Sequence, residues 1–169
     1  VTIAYSIVQR ASMTAGALFE YPMNCRYKQV VVDMSEPFMD AQLNHTIVHS
    51  KDPQAAASFF AEVFGLGKPR RFGPFLDVDV QNEVTLAFLD ADGMEIQTQH
   101  YAFLVSEAEF DQIFGRVKER GVKYWADPGQ KQEGRINRHY GGRGVYFEDP
   151  SGHLLEIITT PYGSDLPKE

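Results

Sequence analysis

Three ionisable side chains, His45, His100 and Glu156, each lie in a short stretch whose β-branched, aromatic and other apolar residues predict a β-strand. A polar side chain flanked by β-branched and aromatic residues is half-buried, and burying it without a partner is costly. Two neutral imidazoles and one carboxylate satisfy each other through a divalent metal ion, in the facial arrangement that leaves coordination positions open for substrate. The sequence therefore predicts a metal site, on the condition that the three residues meet in the fold.

Size and charge exclude several classes of function. The chain has 169 residues, 43% of them apolar, which is enough for one domain with a substantial core. Its net charge of −7 argues against binding to a nucleic-acid backbone. The sequence contains no run of about 18 apolar residues, which is the length that a membrane-spanning helix needs. A single cysteine, Cys25, and the lack of a secretory signal near Val1 lead us to expect a reducing, cytoplasmic setting.

The order of predicted elements repeats along the chain. A strand with His45 is followed by a helix that begins at Asp52 and ends at Gly65, and then by strands near 70–75, 76–80 and 84–89. A strand with His100 is followed by a helix that begins at the capping box of Ser106, and then by strands near 122–125, 144–147 and 153–159. The sequence predicts an α+β fold of paired βαβββ units, at residues 41–92 and 97–160.

The repeat places the two histidines at equivalent positions, in the first strand of each unit. Two curved sheets side by side would form one open cup, in which His45 and His100 face each other across a pseudo-twofold axis. Glu156 lies in the last strand of the second unit, and its counterpart in the first unit is Ala87. The predicted site therefore has three protein ligands, with positions left for water and substrate.

Two further segments stand apart from the repeat. Residues 1–40 show weak periodicity and are predicted to be an N-terminal extension or arm outside the domain at 41–163, while 164–169 form a tail. The stretch from Asp127 to Arg143 is long, polar and glycine-rich between two strands. Loops of this kind are often lids or binding loops. We expect it to cover the mouth of the cup and to bind substrate through Arg138 and Arg143.

These motifs resemble the vicinal oxygen chelate superfamily, which includes glyoxalase I, bleomycin-resistance proteins, extradiol dioxygenases and fosfomycin-resistance thiol transferases. The resemblance covers residues 41–163 and is carried by Leu43-Asn44-His45, Phe64-Gly65-Leu66, His100-Tyr101-Ala102-Phe103 and Asp149-Pro150-Ser151-Gly152-His153 leading to Glu156. It implies a cup around a divalent metal, Fe(II) or Mn(II) first and Zn(II) or Ni(II) as alternatives. It also implies a homodimer, because members commonly dimerise, but it does not fix the reaction.

The extradiol ring-cleaving dioxygenases are the members that we favour. Their His, His and Glu ligands match His45, His100 and Glu156 in order, and their catecholate-binding tyrosine precedes the glutamate by ten residues, as Tyr146 does here. Their acid–base histidine also precedes that tyrosine, and His139 lies nearby at a different spacing. The expected function is a dioxygenase that acts on a small molecule chelated through vicinal oxygens, with Tyr146 and His139 as catalytic residues.

Three alternatives stay open. A glyoxalase-like lyase needs a fourth ligand where this chain has Ala87, unless a register shift brings in Glu83 or Asp90. A fosfomycin-type thiol transferase shares the three ligands, but the positions of its phosphonate-binding groups are occupied here by Ile47, Ala126 and Tyr162. A bleomycin-resistance-like protein would sequester a small molecule without catalysis, and usually lacks the full set of metal ligands.

Overall fold

The computed structural model describes residues 41–164, so the predictions for the arm at 1–40, including Cys25, and for the tail from 165 onward lie outside the described residues. The elements, in chain order, are β1 (His45–Ser50), α1 (Pro53–Phe64), β2 (Arg70–Phe72), β3 (Phe75–Asp79), β4 (Thr85–Asp90), β5 (His100–Leu104), α2 (Glu107–Glu119), β6 (Tyr124–Trp125), β7 (Gly144–Glu148) and β8 (Leu154–Ile158). The predicted α+β fold with a repeated βαβββ order is confirmed. Neither helix in this range has the length and apolarity to cross a membrane.

The two helices begin and end where local chemistry places their limits. The Asp52 side chain accepts a hydrogen bond from the Ala55 N–H at 3.0 Å, with Pro53 at the first helical position, and Gly65 ends α1 with a φ of 71°. That left-handed φ is one that glycine adopts without a steric penalty. Ser106 and Glu109 form the predicted capping box at the start of α2. The limits of both helices are therefore set by residues that are close to them in the sequence.

Each unit forms a separate four-stranded sheet, with strand orders β1-β4-β3-β2 and β5-β8-β7-β6. The first strand of each unit pairs in parallel with its last strand, and both β1 and β5 lie at an edge of their sheet. His45 is in register with Thr85, and His100 with Leu154. Ala87 and Glu156 each lie two residues further along, so they occupy equivalent positions in the two units.

The two units share a core that lies on the helix side of their sheets. Phe64 of α1 contacts Phe103 of β5 edge to face, with ring centroids 4.7 Å apart, and the Phe60 ring lies 5.3 Å from the same ring. Arg116 of α2 donates to the Val63 carbonyl of α1 at 3.1 Å. Side chains alternate along a strand, so the faces that carry His45 and His100 lie opposite to this core.

A buried histidine joins the two units at a second place. His153 is 1% exposed, and its Nδ1 accepts a hydrogen bond from the Gln99 N–H at 3.0 Å while its Nε2 donates to the His49 carbonyl at 2.8 Å. The turn that presents His153 is held by Asp149, whose carboxylate accepts hydrogen bonds from the backbone of Ser151 and His153. His153 thus connects the end of β1 to the start of β5.

Candidate metal centre

His100 and Glu156 form a close pair on the face of the second sheet that points away from the core. Nε2 of His100 lies 3.1 Å from Oε2 of Glu156. Glu156 is in register with Ala102, two residues beyond His100 on β5, so the two side chains lie on one face as diagonal neighbours. The Glu156 side chain is 1% exposed, whereas that of His100 is 41% exposed. The pair therefore places a buried carboxylate beneath an accessible imidazole.

Two tyrosines complete the surroundings of the carboxylate. The Tyr162 hydroxyl donates to Oε1 of Glu156 at 2.8 Å, and the Tyr146 hydroxyl lies 2.7 Å from that of Tyr162. Tyr146 is in register with Glu156 on the adjacent strand β7, and its ring centroid is 5.8 Å from that of His100. Burial, followed by a hydrogen bond with Glu156, raises the pKa of Tyr146 far above its ordinary value. The structure thus brings Tyr146 together with two of the three predicted metal ligands.

His45 does not join this group within one copy of the chain. It is exposed on β1, and between residues 41 and 164 no three His, Cys, Asp or Glu side chains come together as a metal site. The reason is the packing of the two units through their helix sides, which leaves each histidine-bearing face directed away from the shared core. The expectation that the two histidines face each other across a cup is therefore not met by a single copy.

The His45 ring is nevertheless in a form that suits a metal ligand. Its Nδ1 lies 2.9 Å from Oδ1 of Asn44, and the tautomer that is protonated on Nδ1 donates a hydrogen bond to this acceptor. The lone pair is then on Nε2. A hydrogen bond of this kind on the other ring nitrogen is the usual companion of metal-binding histidines, because it fixes the tautomer and the orientation of the ring.

Arg143 is held by α2. Its guanidinium pairs with Glu107 and Asp111, each at 2.6 Å, and lies 4.3 Å above the Phe110 ring. Arg143 lowers the pKa of Asp111 through a hydrogen bond, and Glu107 has a lowered pKa through a hydrogen bond with Thr159 first and Arg143 second. These ion pairs hold the end of the 127–143 loop against the first turns of α2. The predicted contact of Arg143 with substrate stays a prediction.

Arg138 and His139 are exposed on the same loop. His139 begins a single 3₁₀ turn, and its ring centroid is 6.3 Å from that of Tyr140. Tyr140 has a φ of 54° and lies perpendicular to the Tyr162 ring at 5.4 Å. This aromatic contact connects the loop to the residues around Glu156, while the roles predicted for Arg138 and His139 in the reaction stay predictions.

Sequence reasoning did not include Tyr162 among the site residues, and it did not predict the direction of Asp77 in the first unit. Tyr162 follows β8 in an irregular segment, where no periodicity indicates the direction of a side chain. Asp77 lies opposite Ala87 on the neighbouring strand β3, with an 11% exposed side chain 3.8 Å from Arg70. The buried positions of Leu76 and Val78 on either side were a signal that Asp77 points to the other face of the sheet.

Comparison with known proteins settles the family. The model of the Glyoxalase/Bleomycin resistance protein/Dioxygenase superfamily matches residues 42–157. The chain belongs to this superfamily. It is 32% identical over 120 residues to the glutathione transferase FosA of Serratia marcescens, an alignment that covers 68% of this chain and 78% of FosA. It is 29% identical over 128 residues to the metallothiol transferase FosB of Shouchella clausii, covering 69% and 79% of the two chains.

Two solved structures are more similar still. The oxidases ChaP-H1 and ChaP-H2 are 54% and 55% identical to this chain, with TM-scores of 0.71 and 0.72. The alignments cover 73% and 75% of this chain and 98% of each oxidase. The resemblance to the vicinal oxygen chelate superfamily that the motifs indicate is thereby confirmed.

Proposed function

We propose that the protein is a divalent-metal-dependent oxidase that acts on a small molecule with two neighbouring oxygens, and that its reaction is an extradiol-type ring cleavage. The pairing of His100 with the buried carboxylate of Glu156 carries this proposal. Identity of 54% and 55% to two oxidases, over nearly their whole length, supports oxidative chemistry. Tyr146 beside the pair supports the ring-cleaving reaction, because its phenol can hydrogen-bond a bound catecholate.

The donor set fits a divalent ion. Imidazole and carboxylate ligands suit Fe(II), Mn(II), Zn(II) or Ni(II), and a set of two histidines and one carboxylate leaves sites for substrate. When bound, the ion would polarise the substrate oxygens as a Lewis acid and hold them in place. His100 and Glu156 would hold it from one sheet, and Fe(II) or Mn(II) is our first choice for an oxidase.

The third ligand, we propose, is His45 of a second copy of the chain. Ile47, which shares the sheet face of His45, is 41% exposed. Leu104, on the same face of β5 as His100, is 60% exposed. Edge strands with exposed apolar side chains are places where another chain can associate. A twofold dimer would bring β1 of each copy to β5 of the other and form two equal sites.

The side chains of this chain then have separate tasks in the reaction. Tyr146 would bind the substrate through its hydroxyl, on the face that His100 and Glu156 share. His139 would exchange a proton with the substrate as the acid–base group, since an imidazole has one nitrogen that can accept a proton and one that can donate it. The 127–143 loop would cover the bound substrate and exclude water.

Thiol transfer is the second candidate, because the curated relatives FosA and FosB are transferases. The charges of the described residues do not favour it. The resemblance places Ile47, Ala126 and Tyr162 where a phosphonate site needs basic and hydroxyl groups, and the first two of these are apolar. Arg70 pairs with Asp77 and Asp79. Arg143 pairs with Glu107 and Asp111 of α2, so its charge is partly neutralised.

Oxygen consumption separates the two candidates. Protein loaded anaerobically with Fe(II) is mixed with a panel of catechols, and oxygen uptake is measured beside Glu156→Gln. The proposal predicts uptake with at least one catechol, at one O₂ per substrate cleaved, and none in the variant. If no catechol causes oxygen uptake, and thiol is consumed in the presence of an epoxide phosphonate, the result would contradict ring cleavage and favour thiol transfer.

A further inference from the structure

The two carboxylate oxygens of Glu156 have different partners. Oε2 faces Nε2 of His100 at 3.1 Å, and Oε1 accepts a hydrogen bond from the Tyr162 hydroxyl at 2.8 Å. With one oxygen held by a phenol, the carboxylate cannot rotate about its terminal bond without losing that hydrogen bond. Its other oxygen is thereby fixed beside the imidazole.

Tyr162 is an unusual source for this contact. The residue is 55% exposed, in the segment after β8, yet its hydroxyl points inward to a side chain that is 1% exposed. A surface tyrosine ordinarily leaves its hydroxyl in water, because the solvent satisfies it at no conformational cost. The inward direction therefore reflects a specific partner rather than the burial of the ring.

The neighbouring loop braces the Tyr162 ring. Tyr140 lies perpendicular to it, with ring centroids 5.4 Å apart and planes at 79°. Tyr140 has φ 54° and ψ 26°, a left-handed conformation that a bulky residue adopts only when its surroundings hold it there. Such strain is found most often at functional sites. On its other side, the Tyr146 hydroxyl holds the Tyr162 hydroxyl at 2.7 Å.

We infer that Tyr162 is a positioning residue for the metal ligand Glu156, which it fixes so that Oε2 is presented together with His100. The inference rests on the proposed function, in which Glu156 binds the ion. Hydrogen bonds to a ligating carboxylate set its orientation, and their loss typically weakens metal binding or activity roughly 10- to 100-fold. Tyr162, in contact with the strained Tyr140, thus lets the segment after β8 and the 127–143 loop determine the orientation of the Glu156 carboxylate.

The test is calorimetric titration with Co(II), together with the visible absorption spectrum of the bound ion. Tyr162→Phe keeps the ring and removes the hydroxyl, and Tyr124→Phe removes a hydroxyl from the opposite face of the same sheet. We expect Co(II) affinity to fall roughly 10-fold or more in Tyr162→Phe, with an altered spectrum. Affinity and spectrum should be unchanged in Tyr124→Phe.

Glu156→Gln distinguishes the two ways in which this account can fail. If Glu156→Gln loses Co(II) binding and Tyr162→Phe binds as wild type does, the role of Tyr162 is refuted while the metal site stands. If Glu156→Gln itself binds as wild type does, the proposed metal site is refuted. Should Tyr162→Phe fail to fold by circular dichroism, Tyr140→Ala removes the brace instead. Unchanged affinity and spectrum in that variant would equally overturn the inference.

Discussion

Ala87 and Glu156 occupy equivalent positions in the two units, each two residues beyond the register partner of that unit's histidine. One sheet therefore supplies an imidazole and a carboxylate, and the other supplies an imidazole beside a methyl group. The proposed metal site uses three ligands and therefore draws on both sheets. The two units of one copy pack through their helix sides, and in the proposed function the missing imidazole comes from another copy.

Removing the Tyr146 hydroxyl should lower catalysis without removing the ion. In Tyr146→Phe we expect kcat/KM for the best catechol to fall about 10-fold, the effect of one lost hydrogen bond to the substrate. Bound metal should stay close to that of wild type, since Tyr146 is not a predicted ligand and the hydrogen bond from Tyr162 to Glu156 is kept. Steady-state oxygen uptake and metal analysis measure the two quantities. A rate equal to that of wild type would remove Tyr146 from the mechanism.

Replacing the exposed loop residues should change turnover more than folding. We expect the double variant Arg138→Ala, His139→Ala to lose about 100-fold or more in kcat/KM, while its free energy of unfolding stays within about 0.5 kcal/mol of wild type. Both side chains are exposed, so their removal leaves no cavity. Arg135→Ala, in the same loop, is the matched control. If the double variant turns over substrate at the wild-type rate, the loop does not take part.

The ion pairs of Arg143 with Glu107 and Asp111 should make the fold less stable as the pH becomes acidic. Arg143 lowers the pKa of Asp111, and it contributes with Thr159 to the lowered pKa of Glu107. A carboxyl group whose pKa is lower in the folded state stabilises the fold above its unfolded pKa, and this stability is lost as the pH falls through the folded pKa. We expect the urea midpoint to decline below pH 4.5, the ordinary value for Glu107. The decline should be shallower in Arg143→Gln than in Arg135→Gln, and equal slopes would contradict the assignment.

His153 should be a major determinant of stability. His153→Ala leaves the Gln99 N–H and the His49 carbonyl without their present partner and opens a cavity. We expect a loss of about 3 kcal/mol in the free energy of unfolding, measured by urea titration. His49→Ala is the control, because it keeps the backbone carbonyl that His153 contacts. Equal free energies of unfolding for the two variants would show that the hydrogen bonds of His153 contribute little to stability.

Much of the fold could be predicted from the sequence because its signals are local. Asp52 with Pro53, the capping box of Ser106 and the glycine at 65 mark helix limits through contacts between near neighbours. Strand alternation then separated buried from exposed faces. The equivalence of Ala87 and Glu156 followed from the repeat alone, since two copies of one pattern align position by position.

The remaining features depend on contacts between distant residues. The two units pack through their helix sides, where Phe60 and Phe64 of α1 contact Phe103 of β5. Apolar periodicity predicts that such side chains are buried, but it does not indicate which residues they contact. The loop arginines looked alike in sequence, although Arg143 pairs with two carboxylates on α2. Tyr162 lies beyond the last strand, where no pattern predicts its direction. Such features need the three-dimensional structure.

Mixed dimers test the central claim, a metal site shared by two copies, most directly. His45→Ala and Glu156→Gln chains with different tags are coexpressed, and the mixed dimer is isolated through both tags and analysed for metal. One of its sites then carries both changes and the other carries none, so it should hold about half of the wild-type metal, while each variant alone holds little. The pairing of His100→Ala with Glu156→Gln, which damages both sites, should stay nearly empty. A mixed His45→Ala and Glu156→Gln dimer as empty as its parents would contradict the shared site.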